Sequence, residues 1–438
     1  MIPIRLWISA SALLIAGCSS SPYDRNHISA ELVQRAGAPL AGEAGPFQIP
    51  SETVLDDGLT EPEAVGIALW NNARLQSDLA TLGLARADLF AAGAFPNPVL
   101  DLLFPSGAVR MEATVSIPID LLSRWSRVKA SREDVHKVAA NLVAVGLQLA
   151  RDVRIAHAEH LLARDRLTFL NETSALRRDI ADIGAAQFEV GRINQQIYSQ
   201  MLADGANAEV AALTAAHDLA TKENRLLELL GAEPADVPLV LVRSPLSQVK
   251  LGSLQVLVSE ALIARPEIEA GEASLRSAGA RANVETLKLL DFIGKLKIEE
   301  TPGDTLLSPG GQITVPLFDQ NQAGRTRAAA ELERVTQDFV AVRQSIRREV
   351  ADAYSAYVKA SQALALWQDR VLPSLEDQAT LTRASADVGR APYLELALAQ
   401  DSYVQGRLGA AEAEATFRRA SAQLAYSVGH RIAQEQVQ

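Results

Sequence analysis

The chain carries the same signature twice. Val-Gly-Arg stands at 190–192 and again at 388–390, 198 residues further on. At the same displacement Ile117-Pro118-Ile119 returns as Val315-Pro316-Leu317, and Leu230-Gly231 returns as Val428-Gly429. A repeat of this size is far longer than a solenoid module of about 20–50 residues. The chain is therefore read as two copies of one domain that fold into a single pseudo-symmetric object. The register slips by one residue and then recovers. Arg151-Asp152-Val153 matches Arg348-Glu349-Val350 at a displacement of 197, which puts a one-residue difference inside a helix.

The N-terminus supplies an address. Residues 1–17 read as a signal peptide: one positive charge at Arg5, then an apolar stretch from Leu6 to Ala16 that is too short to span a bilayer. Leu14-Ile15-Ala16-Gly17-Cys18-Ser19 resembles a bacterial lipobox, in which the cysteine is cleaved free and lipidated. Cys18 is the only cysteine, which leaves no partner for a disulfide and no Cys-based metal site. In the Gram-negative system it resembles, Ser rather than Asp after the cysteine favours the outer membrane. No later run reaches 18 apolar residues, so no transmembrane helix is expected. The formal net charge of −11 becomes more negative once Arg5 is removed, which argues against a nucleic-acid partner. Aromatic residues make up only 5% of the chain, and much of its 48% apolar content is alanine. Alanine packs helices closely but fills little volume, so long thin helices suit this composition better than a thick globule.

Periodicity divides the rest. Residues 18–58, rich in Ser, Pro and Gly, read as an extended lipidated tether. A first repeat spans 59–231, a linker 232–258, a second repeat 259–431, and a tail 432–438. Thr60 and Glu63 form a capping-box pattern at the start of a helix over 60–92. Strict alternation in Met111-Glu112-Ala113-Thr114-Val115-Ser116-Ile117 marks a strand with one apolar and one polar face. Strands are expected at 97–104 and 109–118, turning at Pro105-Ser106-Gly107, and in the second copy at 293–300 and 311–317 across a turn-rich loop from Pro302 to Gly311. Each hairpin leads into a long helix with heptad spacing: Val135, Val138, Leu142, Val145 and Leu149, then Val335, Phe339, Val342 and Ile346. Ser123 to Ile183 contains no proline, giving a helix of about 90 Å. Gly191 and Gly389 sit where a helix end needs a left-handed residue, Pro392 suits the next first turn, and return helices end near Gly231 and Gly429. The fold class is mainly α with a small β part. Four strands per chain cannot close a membrane barrel alone, since single-chain barrels need about eight or more and open edges are excluded from lipid.

The order of these markers resembles the TolC-type outer-membrane efflux factors over nearly all of 59–431. The shared features are the duplicated layout, the Val-Gly-Arg turns, Ala264-Arg265-Pro266-Glu267, and Val315-Pro316-Leu317-Phe318-Asp319-Gln320-Asn321-Gln322 ahead of a long helix. The Pro-Leu-Phe-Asp-Gln-Asn-Gln segment is most similar to the heavy-metal branch. The resemblance implies a homotrimer in which four strands per chain make a shared twelve-stranded outer-membrane β-barrel above a coiled-coil α-barrel in the periplasm. It also implies a periplasmic adaptor protein and, through it, an inner-membrane transporter. On that reading Val190, Gly191, Arg192, Val388, Gly389 and Arg390 are adaptor-contacting helical tips. Glu395 is the candidate periplasmic constriction, with Leu398 where the family often has a second acid and Ile197 as its first-copy counterpart.

Each site has a plainer alternative: two helix stops, and a solvated helix glutamate. No Gly-x-Ser-x-Gly, P-loop or His-Glu-x-x-His motif occurs, so neither an enzyme nor a cofactor beyond the lipid on Cys18 is expected. His157 and His160, three apart, read as helix-surface residues rather than metal ligands. A periplasmic adaptor or a coiled-coil structural lipoprotein is the competing reading. Two hairpins and four alternating strands argue against it.

Overall fold

A computed structural model describes residues 21–41, 45–51, 53, 58–104, 109, 111–234, 236, 239–246, 251–288, 292–387 and 393–431. In chain order the elements are α1 (Arg25–Ala36), α2 (Glu61–Asn71), α3 (Ala73–Gly93), β1 (Val99–Leu103), β2 (Met111–Pro118), α4 (Leu121–Glu189), α5 (Gln195–Leu230), α6 (Leu254–Ala264), α7 (Pro266–Leu287), β3 (Phe292–Thr301), β4 (Asp304–Ile313), α8 (Gln322–Leu366), a π-turn (Trp367–Val371), α9 (Leu372–Asp387) and α10 (Tyr393–Val428). Each half thus runs helix, helix, hairpin, long helix, return helix. The backbone divides into two compact units, one from the described parts of 1–28, 77–144 and 266–344, the other from 29–76, 145–265 and 345–438.

The first unit holds one antiparallel sheet in the order β1-β2-β3-β4. The two hairpins, far apart in sequence, join through β2 and β3, with Val115 opposite Leu296 and Thr114 opposite Lys297. β4 corrects the expected strand at 311–317 and the loop before it. A two-residue turn at Pro302-Gly303, with Gly303 at φ 102°, sets the register, and pairing runs straight through Ser308-Pro309-Gly310-Gly311. Pro309 is tolerated because β4 is an edge strand, where a missing N–H need not cost a ladder bond. In the same unit, Asp134 on α4 accepts hydrogen bonds from Ser277 (2.8 Å) and Arg281 (2.6 Å) on α7. The Tyr23 ring stacks on His136 of α4 with centroids 4.2 Å apart.

The second unit shows why the first helix of each repeat breaks. Residues 60–92 form two helices rather than one, because Asn72 is extended (ψ 113°). Its side-chain oxygen accepts from the Leu75 N–H (3.0 Å), and its amide donates to the Leu229 carbonyl (3.0 Å). Arg265 repeats the device between α6 and α7: ψ is 126°, and the guanidinium donates to Glu349 (2.8 Å) and to the Ser427 carbonyl (3.4 Å). Leu229 and Ser427 are 198 apart, so the duplication read from three short markers extends to the hydrogen bonds.

The tether expectation needs a second correction, since Arg25–Ala36 is helical. Ile28, Leu32 and Ala36 form one buried stripe at helical spacing, and Leu32 fits the space left by Gly146, where a Cβ would lie 2.7 Å from its methyl carbon. Leu59 then pairs with Leu241 of the linker as a parallel bridge. Arg164 donates to the Leu241 carbonyl (2.9 Å) and Arg418 to that of Ser244 (2.6 Å), which straps the linker onto α4 and α10.

The slip in the repeat also has a structural form. The second copy is one residue shorter between 317 and 348 than the first between 119 and 151, and it regains that residue between 350 and 388, the segment where α8 opens into the π-turn before Pro373. A π-turn takes up one residue more than an α-turn without ending the helix. Proline at 373 cannot donate to residue 369, and the Leu372 N–H reaches back to the Trp367 carbonyl.

Candidate functional site

Strand register converts the alternation of single strands into two complete faces of a sheet. One face carries Leu100 and Leu102 of β1, Ala113, Val115 and Ile117 of β2, Leu296 and Ile298 of β3, and Leu307 and Ile313 of β4. The other is mainly polar, with Asp101, Glu112, Thr114, Ser116, Lys295, Lys297, Glu299, Ser308 and Gln312 set among Val99, Leu103, Ile293 and Leu306. Many of the apolar residues are exposed, among them Leu100, Leu102, Ile117, Leu307 and Ile313. An exposed apolar face backed by a polar one, on strands of up to ten residues, has the pattern and nearly the length of a lipid-facing barrel wall, about 9–11 residues. On the polar face Lys297 lies 3.0 Å from Glu112 and 2.8 Å from Glu299. All three residues were visible as polar alternants in the sequence. Their meeting depends on which residues β2 and β3 pair.

The strand-to-helix segments that carried the family resemblance are turns built by side chains. Asn321 takes φ +54°, a conformation asparagine tolerates, and its amide donates to the Glu285 carbonyl (2.8 Å) and carboxylate (2.9 Å). Asp319 accepts from the Asn321 N–H at 2.9 Å. In the first copy Asp120 plays the same part, accepting from the N–H (3.1 Å) and hydroxyl (2.5 Å) of Ser123.

At the other end of α4, Gly191 has φ +70°. Its N–H donates to the Phe188 carbonyl (3.0 Å) and that of Arg192 to Gln187 (2.9 Å), the paired bonds of a Schellman stop. Asn194 caps α5 by accepting from the Ile197 N–H, and Phe188 stacks on Tyr198 at 5.3 Å. Val190 and Arg192 are exposed, and Arg192 makes no ion pair among the described residues. The stop explains the glycine. It gives the valine and arginine no task. Val388, Gly389 and Arg390 lie outside the described residues, as do Pro392 and Cys18. Glu395 is exposed in the first turn of α10, where the helix dipole alone favours an acid. Leu398 and Ile197 are exposed as well.

The two histidines contradict the surface expectation. His157 is 1% exposed and His160 4%. The strap at Leu59 covers His157, whose Nε2 lies 3.4 Å from the Leu59 carbonyl. Burial is the main cause that lowers its pKa to about 4, with Arg418, His160 and Arg164 adding to the effect. Burial also lowers the pKa of His160, whose Nδ1 has no hydrogen-bond partner among the described residues. No cluster of three or more His, Cys, Asp or Glu able to hold a metal ion occurs among the described residues. The burial was hidden in the sequence because its cause, the 59–241 bridge, joins segments far apart in the chain.

No helix among the described residues is long and apolar enough to cross a membrane, a statement that leaves the sheet untouched. The comparisons with known proteins agree with the sheet. The cobalt-zinc-cadmium resistance protein CzcC of Cupriavidus metallidurans is 22% identical over 358 residues, covering 80% of this chain and 85% of that protein. Among solved structures CusC matches with a TM-score of 0.71 at 20% identity, over 89% of this chain and 97% of its own. The open-state MtrE outer membrane channel of Neisseria gonorrhoeae matches with a TM-score of 0.69 at 16% identity, over 86% and 90%. At such identities the structures speak for the fold. The family profile described as outer membrane efflux protein matches residues 65–232 and 257–430, one match in each half and most of the chain between them. On that evidence the chain belongs to the outer membrane efflux protein family.

Proposed function

We propose that three copies of this chain close one twelve-stranded barrel in the outer membrane and serve as the passive exit duct of a tripartite efflux system. The observation that carries this reading is the sheet itself. It has an apolar face, a polar face and two strands, β1 and β4, each with one partner among the described residues. In lipid those edges must be paired. β4 of one copy beside β1 of the next satisfies both, and three copies of four strands reach a size at which barrels close. The polar face then lines the lumen.

In this reading Cys18 carries the lipid, and a periplasmic adaptor docks on the tips formed by Val190, Gly191, Arg192, Val388, Gly389 and Arg390. That adaptor links the duct to an inner-membrane transporter, which supplies the energy. Glu395 narrows the tunnel as a ring of three carboxylates. The likeness to a cobalt-zinc-cadmium resistance protein supports divalent metal cations as cargo. Cell fractionation followed by electrophoresis without boiling tests the assembly. A heat-modifiable band of about three chain masses in the outer-membrane fraction is expected. A soluble periplasmic monomer overturns the duct and returns the chain to the adaptor or structural-lipoprotein class.

A further inference from the structure

The register sorts the charges of the polar face into layers. Counting from the end where α4 begins, and past the uncharged row of Pro118, Ile293 and Gln312, the first charged row is Val99, Ser116, Lys295 and Gly310, the next Asp101, Thr114, Lys297 and Ser308, and the third Leu103, Glu112, Glu299 and Leu306. Lys297 is balanced within the sheet by Glu112 and Glu299. Lys295 is not. It is exposed, its neighbours along the row are serine and glycine, and it makes no ion pair among the described residues. Each chain therefore presents one unbalanced ammonium in the first charged row. Asp101, Lys297, Glu112 and Glu299 in the two rows beyond sum to a net −2.

We propose that Lys295 is a charge-selectivity determinant within the barrel lumen. This rests on the barrel reading above, in which three Lys295 side chains ring the lumen at one level. A ring of like charges in a low-dielectric wall focuses its potential across the opening, and pores use such rings to sort ions by sign. The ring attracts anions and repels cations next to a lumen segment that does the reverse. It restrains the cation preference that the acidic rows set within the barrel. Lys297 has no such reach, because its field is cancelled by carboxylates in contact with it.

The test uses the full-length protein in planar bilayers under a KCl gradient, read as reversal potential. In Lys295→Gln the ratio of potassium to chloride permeability should rise about fivefold at ~0.1 M salt, where fields reach about 10 Å, and the difference should fade at ~1 M, where they reach about 3 Å. Lys295→Arg keeps the charge and should behave as the unchanged protein. Cys18 is the only cysteine, so once it is lipidated Lys295→Cys carries the one free thiol. A cationic thiosulfonate should restore the original reversal potential there, and a neutral one should not. An unchanged ratio in Lys295→Gln, or an equal shift in Lys295→Arg, overturns the inference and leaves the duct standing. Absence of any conductance in the unchanged protein overturns both.

Discussion

Gly231 and Gly191 both end helices in the left-handed region, at φ 67° and 70°, yet their surroundings differ. A Cβ at Gly231 would overlap the Asn71 carbonyl at the α2–α3 break, whereas one at Gly191 meets nothing within 4 Å. Gly191→Ala should therefore cost only the intrinsic left-handed penalty, about 1–2 kcal/mol. Gly231→Ala adds a backbone clash and should cost about 3 kcal/mol or more. Thermal unfolding in detergent ranks the two, and equal melting temperatures would remove the packing role assigned to Gly231. His157 gives a pH dependence. Its folded pKa is lowered to about 4 from the ordinary 6.5, so on acidification the unfolded chain takes the proton first. The stability is whole above pH ~6.5 and is lost as pH falls toward about 4, by at most about 3 kcal/mol. His157→Gln should flatten the melting-temperature profile across that window. A variant as steep as the original would place the acid sensitivity on other groups.

At the scale of the element, the two faces of β2 carry the strongest prediction. Val115 sits between Leu100 and Leu296, and Thr114 between Asp101 and Lys297. An arginine on the lipid face near the bilayer midplane costs about 2–4 kcal/mol, while lumen changes cost little. Val115→Arg should sharply reduce the heat-modifiable trimer in the outer membrane, and Thr114→Arg should leave most of it. Comparable losses would argue against a lipid-exposed sheet. The same sheet shows where element reading from sequence fails. β3 and the core of β2 were legible because apolar and polar residues alternate strictly. β4 was not, because Ser308-Pro309-Gly310-Gly311 has turn composition and is held in a strand only by its pairing with β3. The break at Asn72 was equally hidden, since asparagine there answers to a carbonyl 157 residues away.

For the whole molecule, the repeat predicts at Gly389 a helix stop like the one at Gly191. Gly389→Val should abolish efflux without removing the protein from the outer membrane, as measured by resistance together with fractionation. Loss of the protein from the membrane would make the residue a folding determinant only. Glu395→Ala should keep the trimer and weaken cation selectivity, opposite in sign to Lys295→Gln. An unchanged reversal potential would leave Glu395 as an acid favoured by its helix start. By itself the sequence determined what is local or periodic: the long proline-free helix, its glycine stop, the alternating strands, and a repeat whose return to register falls at a π-turn. Tertiary structure alone decided what depends on distant partners. These are the register that brings Lys297 diagonally to Glu112, the strap that buries His157, and the apolar stripe of α1 inside a segment of tether-like composition. The physical reason is that helix and strand periods follow from the backbone's own repeat, whereas burial and pairing are set by whichever remote segment supplies the covering surface or the missing hydrogen bond.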